Sequence, residues 1–253
     1  GTSKLTRQLL HQAKQLKVIV KYGVGIDNID RKAATELGIK ILNFPGINAD
    51  SVAELALGLM LSVARNIISG DRSIRTGGWK RPLGRSVHGK TLGIIGTGSI
   101  GTALARMVSG LKMTILGYDL YQSEAFKSTG GIYVELVDLL NRSDFVSIHI
   151  PLTQKTAHFI NNDRLGQMKP GAFLINTARG GLVDETALKE QLQNGHLGGA
   201  GVDVFEKEPP VLGELANIEQ VAFTPHVGAY TQETLRKMDR TCIEALSKAL
   251  KNL

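Results

Sequence analysis

The chain has 253 residues, of which 42% are hydrophobic and 21% are charged, and it carries a formal net charge of +7. This length suits one large α/β domain or two lobes, and the composition is that of a globular protein. No run of 18 apolar residues occurs, so no membrane partner is expected, and the single cysteine, Cys242, excludes an intrachain disulfide.

The basic residues are scattered rather than arranged in a stripe, and the densest cluster is 79–81. No aromatic residues interleave with a basic run, so a nucleic-acid partner is not expected. The positive charge has two interpretations, a solvated surface or a field that attracts anionic ligands such as a dinucleotide and a carboxylate. The lone cysteine and a start without an apolar signal-peptide stretch lead us to expect a cytoplasmic protein.

Short runs rich in β-branched residues alternate with helical patterns along the chain, which is typical of a parallel sheet. Several runs are apolar almost throughout, as expected for strands covered on both faces. The predicted strands are 18–21, 40–43, 91–95, 114–118, 145–149, 172–176, 201–204 and 221–223. The predicted helices are 4–15, 30–37, 50–70, 99–110, 184–193 and 231–249.

The predicted helix 50–70 is long and apolar, but Glu54, Arg65 and Asn66 favour a buried helix between two lobes over a membrane span. Glycines at 77 and 78 then suggest a lobe boundary. We therefore expect a nucleotide-binding domain over 76–228 and a second lobe made of 1–75 and 229–253.

A glycine fingerprint directly follows the predicted strand 91–95, in the segment 96–101 that reads GTGSIG. Gly96 permits a tight turn, Gly98 lets a pyrophosphate approach the backbone, and Gly101 lets the following helix pack closely on the strand. Alone the pattern is a weak signal in a chain with 29 glycines, but its strand–turn–helix setting strengthens it. This segment predicts a dinucleotide site in a Rossmann-type doubly wound sheet.

The helix that begins at Ser99 offers the N–H groups of Ser99 and Ile100 to the phosphates. Asp119 ends the next predicted strand, 18 residues past the last glycine, where a carboxylate accepts hydrogen bonds from ribose hydroxyls and repels a 2′-phosphate. No arginine occurs in 120–122 to accept that phosphate. The cofactor is therefore predicted to be NAD rather than NADP.

Polar residues follow three further predicted strands, in the segments 176–181, 202–210 and 224–228, which together offer an arginine, carboxylates and a histidine. Ligands bind at this edge of open parallel sheets. With the fingerprint and the segments 21–30, 43–58 and 77–81, these segments resemble the D-isomer-specific 2-hydroxyacid dehydrogenase family, and within it the phosphoglycerate dehydrogenase-like group.

The resemblance implies three catalytic residues. Arg179 holds the substrate carboxylate and polarises the carbonyl, because a guanidinium offers paired and permanently charged donors. His226 is the acid–base that moves the hydroxyl proton, since histidine changes charge near neutral pH. Glu208 orients His226 and favours its protonated form.

The resemblance also implies the residues that hold the ligands. Asp203 holds the nicotinamide side of the cofactor, while Thr177 and the turn 149–151 contact the cofactor through the backbone. Cofactor contacts are expected from Gly96, Gly98, Ser99, Ile100, Gly101, Asp119, Ile150, Pro151, Thr177, Ala178, Arg179, Asp203, His226 and Gly228. Substrate contacts are expected from Val24, Gly25, Asn48, Arg179 and His226.

The expected reaction is hydride transfer between NAD(H) and a small anionic D-2-hydroxy or 2-keto acid, without a metal. The substrate expected first is 3-phosphoglycerate or 3-phosphohydroxypyruvate, as in serine biosynthesis, with glyoxylate or hydroxypyruvate reduction as the alternative. A second alternative is an NAD-sensing, corepressor-like binding protein. The second lobe is expected to be a flavodoxin-like substrate lobe that lacks its N-terminal part. The segment around Trp79 and Arg81 implies a homodimer.

Overall fold

The computed structural model describes residues 3–251, which form two compact units. Within the described residues, the first unit comprises 3–51 and 229–251, and the second comprises Val52–Gly228. Within the described residues, the helices are α1 (Arg7–Gln12), α2 (Arg31–Glu36), α3 (Ala49–Ala64), α4 (Ile67–Arg75), α5 (Ser99–Met107), α6 (Glu124–Lys127), α7 (Leu136–Arg142), α8 (Asn162–Gln167), α9 (Glu185–Gln193) and α10 (Gln232–Leu250). The strands are β1 (Val18–Val20), β2 (Lys40–Leu42), β3 (Thr91–Ile95), β4 (Thr114–Tyr118), β5 (Ile132–Tyr133), β6 (Phe145–Ile148), β7 (Phe173–Asn176), β8 (Gly199–Val202) and β9 (Val221–Phe223).

The first unit contains the parallel strands β1 and β2, with α1, α2 and α10 around them. Its apolar cluster is small, with Leu10, Ala33, Ala34 and Ile39 as the buried members. Helix α10 contacts β1, and the Tyr22 hydroxyl donates to an Asp239 carboxylate oxygen at 2.9 Å, which fixes α10 beside the end of that strand.

The second unit is built on a parallel sheet of seven strands in the order β5-β4-β3-β6-β7-β8-β9. The chain moves outward from β3 to β5 on one side and from β6 to β9 on the other, so the order reverses between β3 and β6. Two apolar clusters cover the two faces, and β6, β7 and β8 are buried throughout. The Rossmann-type doubly wound sheet is confirmed, and the reversal is where such sheets bind ligands.

The predicted helix 50–70 is wrong, because the structure contains two helices, α3 and α4, bent by 66° at residues 65–66. Asn66 adopts a left-handed conformation at φ 52°, which ends α3, and its side-chain amide donates to the Leu83 carbonyl at 3.0 Å. No single helix within 3–251 is long and apolar enough to cross a membrane, although α3 and α4 together meet the length and composition criteria.

The boundary between the units falls at Ser51/Val52 and not near residue 76 as the glycines suggested. Helix α3 explains the difference, since Ala53, Ala56 and Met60 have no exposed surface and belong to the cluster that covers one face of the large sheet. Because these side chains are buried against the large sheet, α3 belongs to the second unit, and the Gly77-Gly78 pair does not mark the boundary.

Other boundaries shift by a few residues. Helix α1 is shorter than the predicted 4–15, because the Thr6 hydroxyl accepts from the Leu9 amide and starts the helix there. The pattern 99–110 ends as an α-helix at Met107 and continues as a 3-10 helix over Val108–Leu111. Strand β8 runs over Gly199–Val202 rather than 201–204, so Asp203 lies in the loop beyond it.

Candidate active site

The fingerprint loop lies between the ends of β3 and β6, at the reversal of strand order. Gly96 has φ +96°, and a Cβ there would lie 2.6 Å from the His149 carbonyl carbon. A Cβ on Gly101 would overlap the Gly96 carbonyl oxygen, so α5 approaches β3 only with glycine at that position. Both glycine roles expected from the sequence therefore have a steric reason in the structure.

The loop leaves room and donors for a phosphate. A Cβ placed on Gly98 would meet no atom within 4 Å, so the backbone there faces open space. Helix α5 begins at Ser99 with Gly98 as its N-cap and without a side-chain cap, which leaves the N–H groups of Ser99 and Ile100 available to a ligand. These features fit the pyrophosphate of a dinucleotide.

Asp119 follows β4 and is held by the fingerprint itself. Its Oδ2 accepts from the Thr97 amide at 2.7 Å and from the Thr97 hydroxyl at 3.2 Å, and its Oδ1 accepts from the Tyr121 amide at 3.3 Å. The carboxylate is thus fixed beside the glycine loop, where the adenosine ribose of NAD is expected.

Two residues of this network, Thr97 and Tyr133, were not singled out by the sequence. The Tyr133 hydroxyl lies 2.6 Å from the Thr97 hydroxyl and accepts from the Ser123 amide at 2.7 Å. Thr97 occupies a variable position of the glycine pattern, and Tyr133 lies in the two-residue strand β5, too short to show a period. Only the topology brings them together.

Arg179 follows β7 in a turn built by Asn176. The Asn176 side-chain amide donates to the Arg179 carbonyl at 2.9 Å, and its carbonyl oxygen accepts from the Ala178 amide at 3.1 Å. The Arg179 guanidinium donates to the Ala178 carbonyl at 2.7 Å. Asn176 is 3% exposed, so it shapes this turn from inside the protein.

The Arg179 turn packs directly on the loop that carries Glu208. A Cβ on Gly180 would overlap the backbone of Phe205, so the two loops meet with no space for a side chain. The Phe205 amide in turn donates to Glu208 Oε1 at 3.3 Å. Glycine at 180 therefore sets how close Arg179 and Glu208 lie.

His226 and Glu208 form a pair, as the resemblance implied. His226 Nδ1 lies 2.9 Å from both carboxylate oxygens of Glu208, and the two side chains are 33% and 30% exposed. No group of three or more histidine, cysteine, aspartate or glutamate side chains suited to a metal ion occurs within residues 3–251. Both side chains of the pair are partly accessible to solvent.

Asp203 fixes the loop that carries His226. Its carboxylate accepts from the Thr224 hydroxyl at 2.6 Å and from the amides of Val227 and Gly228 at 2.8 and 3.0 Å, and its carbonyl accepts from the His226 amide at 2.8 Å. Burial raises the pKa of Asp203, and these hydrogen bonds oppose the rise. Asp203 has no exposed surface and acts as the anchor of the 224–228 loop.

Two buried polar atoms near the sheet edge have no hydrogen-bond partner within the described residues, Thr177 Oγ1 and His149 Nδ1. Thr177 is 6% exposed and directly precedes the Arg179 turn. Ile150 and Pro151 follow β6 beside the fingerprint loop, and the Thr156 hydroxyl donates to the Pro151 carbonyl at 2.7 Å. An unpaired buried hydroxyl at this edge fits a bound ligand that completes its bonding.

The remaining predicted substrate residues lie in the first unit. The Asn43 side-chain amide donates to the Val24 carbonyl at 2.9 Å, which holds the loop of Val24 and Gly25 at the end of β2. The Asn48 carbonyl accepts from the Ser51 hydroxyl at 3.1 Å, and Asn48 Oδ1 is buried without a partner among the described residues. These residues are ordered by contacts within their own unit.

Comparisons with known proteins agree with this geometry. Residues 57–228 match the family model of the D-isomer specific 2-hydroxyacid dehydrogenase NAD binding domain. A hydroxypyruvate reductase of Thermotoga maritima is 43% identical over 255 residues, covering 99% of this chain and 83% of that protein. A D-3-phosphoglycerate dehydrogenase of Methanocaldococcus jannaschii is 44% identical over 98% of this chain, which spans only 48% of that protein.

Solved structures give the same result. The crystal structure of a glyoxylate reductase from Paecilomyes thermophila superposes with a TM-score of 0.92 at 36% identity, covering 97% of this chain and 76% of that chain. The similarity extends over both units, and the family model covers the fingerprint, Asp119, Arg179, Glu208 and His226. The chain belongs to the D-isomer specific 2-hydroxyacid dehydrogenase family and is an NAD-dependent enzyme of that family.

Proposed function

We propose that Arg179, Glu208 and His226 are the catalytic residues of this enzyme and act on a small D-2-hydroxy or 2-keto acid. The observation that carries the proposal is the contact of His226 Nδ1 with both oxygens of Glu208 at 2.9 Å. The pair lies on loops at the carboxyl edge of the sheet, where Gly180 brings the Arg179 turn against the Glu208 loop.

The Glu208 contact defines which nitrogen of His226 exchanges the proton. A carboxylate only accepts hydrogen bonds, so Nδ1 carries the hydrogen and Nε2 is the atom that faces the reaction. In oxidation, Nε2 takes the proton of the substrate hydroxyl, and in reduction the protonated ring returns it to the forming alkoxide. The two contacts with Glu208 also fix the orientation of the ring.

Arg179 supplies permanent positive charge to the same reaction. Its guanidinium binds the substrate carboxylate and stabilises charge on the reacting oxygen in both directions. Bound NAD supplies the hydride acceptor, and NADH the hydride donor. Asp119 holds the adenosine ribose, while the loop 96–101 holds the pyrophosphate.

Other contacts of the predicted set belong to the same proposal. Asp203 is fully buried and supports the nicotinamide side of the cofactor through the His226 loop that it fixes. Thr177 completes its hydrogen bonding with the bound cofactor. Val24, Gly25 and Asn48, in the first unit, are the other proposed substrate contacts. The expected cytoplasmic location stays a prediction.

The substrate is proposed to be 3-phosphoglycerate or 3-phosphohydroxypyruvate, with hydroxypyruvate and glyoxylate as the second candidates. Similar proteins are named for phosphoglycerate, hydroxypyruvate and glyoxylate. The test follows NADH absorbance as the protein is mixed with 3-phosphohydroxypyruvate, hydroxypyruvate, glyoxylate and pyruvate. The keto acid with the highest kcat/KM identifies the substrate. NADH binding without turnover of any of these would favour an NAD-sensing protein instead.

We also propose a homodimer through a surface on the second unit, here called the α4 surface, formed by Ile67, Ile74, Trp79 and Leu83. These side chains are 50%, 55%, 81% and 97% exposed. The Lys80 amide donates to the Ser73 hydroxyl at 2.9 Å, so the segment 79–83 is fixed along α4. A fixed group of exposed large apolar side chains is typical of a protein interface.

A further inference from the structure

A chain of hydrogen bonds connects β5 to the carboxylate that is proposed to bind the ribose. It runs from the Ser123 amide to the Tyr133 hydroxyl at 2.7 Å, then to the Thr97 hydroxyl at 2.6 Å and on to Asp119 Oδ2 at 3.2 Å. The four residues come from the 119–123 loop, the glycine fingerprint and the edge strand, and the sheet order β5-β4-β3 brings them together.

The Asp119 carboxylate, at one end of this chain, fixes the direction of every hydrogen bond in it. A carboxylate only accepts, so the single hydrogen of the Thr97 hydroxyl points to Asp119. The hydrogen between the two hydroxyls therefore comes from Tyr133, and Tyr133 accepts the Ser123 N–H. Three aligned donors polarise one another and strengthen the final bond to the carboxylate.

We propose that Tyr133 is a positioning residue that holds Asp119 through Thr97 and thereby sets the affinity for NAD and the preference for NAD over NADP. The inference rests on the proposed role of Asp119 as the ribose ligand. Tyr133 itself touches neither cofactor nor substrate in this proposal, and its effect is confined to the adenosine end of the site.

The acceptor positions of the Asp119 carboxylate show how the hydrogen-bond chain affects binding of the ribose. The two Thr97 donors occupy both acceptor positions of Oδ2, and the Tyr121 amide occupies one position of Oδ1, so Oδ1 keeps the position available to a ribose hydroxyl. Tyr133 also fixes Ser123, at the far end of the loop that begins at Asp119. The loop is therefore held at both ends, and the carboxylate cannot turn away from a 2′-phosphate.

The ring and the hydroxyl of Tyr133 make different contacts, so the role of the hydroxyl can be tested separately. The ring packs on Phe126, with centroids 5.1 Å apart, in the apolar cluster that contains Ile94 and Ile115. Tyr133→Phe keeps this packing and removes only the hydroxyl. Tyr118→Phe is the matched control, because Tyr118 lies in the neighbouring strand and packs on the other cluster, against Phe159.

The test measures dissociation constants for NADH and NADPH by nicotinamide fluorescence, and for ADP-ribose and nicotinamide mononucleotide by competition. Loss of one such hydrogen bond is expected to raise the Kd for NADH and ADP-ribose about five- to tenfold in Tyr133→Phe. The Kd for nicotinamide mononucleotide should stay unchanged, and the Kd for NADPH should fall, because the freed carboxylate can turn away from the 2′-phosphate. All four values should stay unchanged in Tyr118→Phe. An unchanged NADH-to-NADPH ratio, or an equal rise for every ligand, overturns the inference.

Two further variants identify the route and separate this inference from the proposed function. Thr97→Val removes the middle of the hydrogen-bond chain, and it serves as the test on its own if Tyr133→Phe does not fold. In the double variant, Thr97→Val should add no further change in Kd to that of Tyr133→Phe. Additive effects on Kd would contradict a shared hydrogen-bond chain. Asp119→Asn tests the ribose role itself. If Asp119→Asn lowers the NADH preference and Tyr133→Phe does not, only the inference fails; if neither does, the role of Asp119 fails with it.

Discussion

His226 is held at two points that act independently. Its ring is fixed by Glu208, while its main chain, at φ 53°, is fixed by the Asp203 carbonyl. A non-glycine residue in this left-handed region needs such support, and asparagine adopts it more readily than other residues with side chains. The ring can therefore be removed with little disturbance of the loop.

His226→Asn is expected to lower kcat by about 10²–10⁴-fold, because the proton-transfer group is lost. The Kd for NADH should change little, since the fingerprint and Asp119 are untouched. Steady-state kinetics with the preferred keto acid and fluorescence titration with NADH measure the two values. Turnover close to that of the unmodified protein would refute the role of His226.

His149 gives the second unit a pH-dependent stability. Burial lowers its pKa from 6.5 to about 4, and its Nε2 is paired with the Ser147 hydroxyl at 2.9 Å. Below pH 6.5 the unfolded chain binds a proton that the folded protein does not bind until about pH 4. The contribution of His149 to stability therefore falls as the pH drops through this window, by up to about 3 kcal/mol.

His149→Gln should remove that part of the pH dependence. We expect the free energy of unfolding, measured by urea denaturation at about pH 7 and about pH 4.5, to differ less between the two pH values in the variant. His88→Gln is the control, because His88 is exposed in the same unit. An equal pH dependence in all three proteins would show that His149 is not responsible.

At the scale of elements, the close approach of two loops sets the relative position of Arg179 and Glu208, the proposed catalytic residues. Gly180 meets the Phe205 backbone, which cannot move without displacing Glu208, whereas a Cβ on the adjacent Gly181 would lie 3.2 Å from the flexible end of the Leu152 side chain. The two neighbouring glycines therefore tolerate substitution differently. Gly180 borders backbone, whereas Gly181 borders a movable side chain.

Gly180→Ala should separate the Arg179 turn from the Glu208 loop and lower kcat/KM by about 10²-fold, since misplacement of about 1 Å has that cost. Overpacking of this kind is also expected to destabilise the protein by about 1–3 kcal/mol. Gly181→Ala should leave both values nearly unchanged. Steady-state kinetics and urea denaturation of both variants measure these effects. Equal effects of the two substitutions would disprove the steric argument.

The sequence was informative about elements with a strong local pattern and uninformative about those formed by tertiary contacts. Strands β3, β4 and β9 match their predicted bounds, because each is a short apolar run. Strand β5 has two residues and no period of its own, and it exists because it pairs with β4. The break between α3 and α4 depends on one left-handed residue, Asn66, inside a continuous apolar pattern.

The same distinction applies to the site. Motif residues such as Asp119, Glu208 and His226 were predicted by number, and the structure places Glu208 against His226 across 18 positions of sequence. Tyr133 and Thr97 could not be predicted, since their hydroxyls meet only through the order of three strands. The boundary at Ser51/Val52 likewise depends on which cluster α3 joins.

At the scale of the whole molecule, the two units differ in how much apolar surface they bury. The second unit has two extensive clusters, whereas the cluster described in the first unit has four buried members. The second unit nevertheless leaves the α4 surface exposed, with Leu83 97% and Trp79 81% accessible. Such a surface is costly in water unless another protein chain covers it.

Charge placed on the α4 surface should therefore produce a monomer. Trp79→Ser combined with Leu83→Asp removes two large apolar side chains and introduces like charges that face each other across a two-fold interface, where the same patch meets its copy. Light scattering coupled to size-exclusion chromatography should give a mass near 27.3 kDa for the variant and twice that for the unmodified chain. Ile243→Asp, which changes an exposed apolar residue on α10, should remain a dimer. A monomeric unmodified chain, or a dimeric double variant, would show that the α4 surface is not the interface.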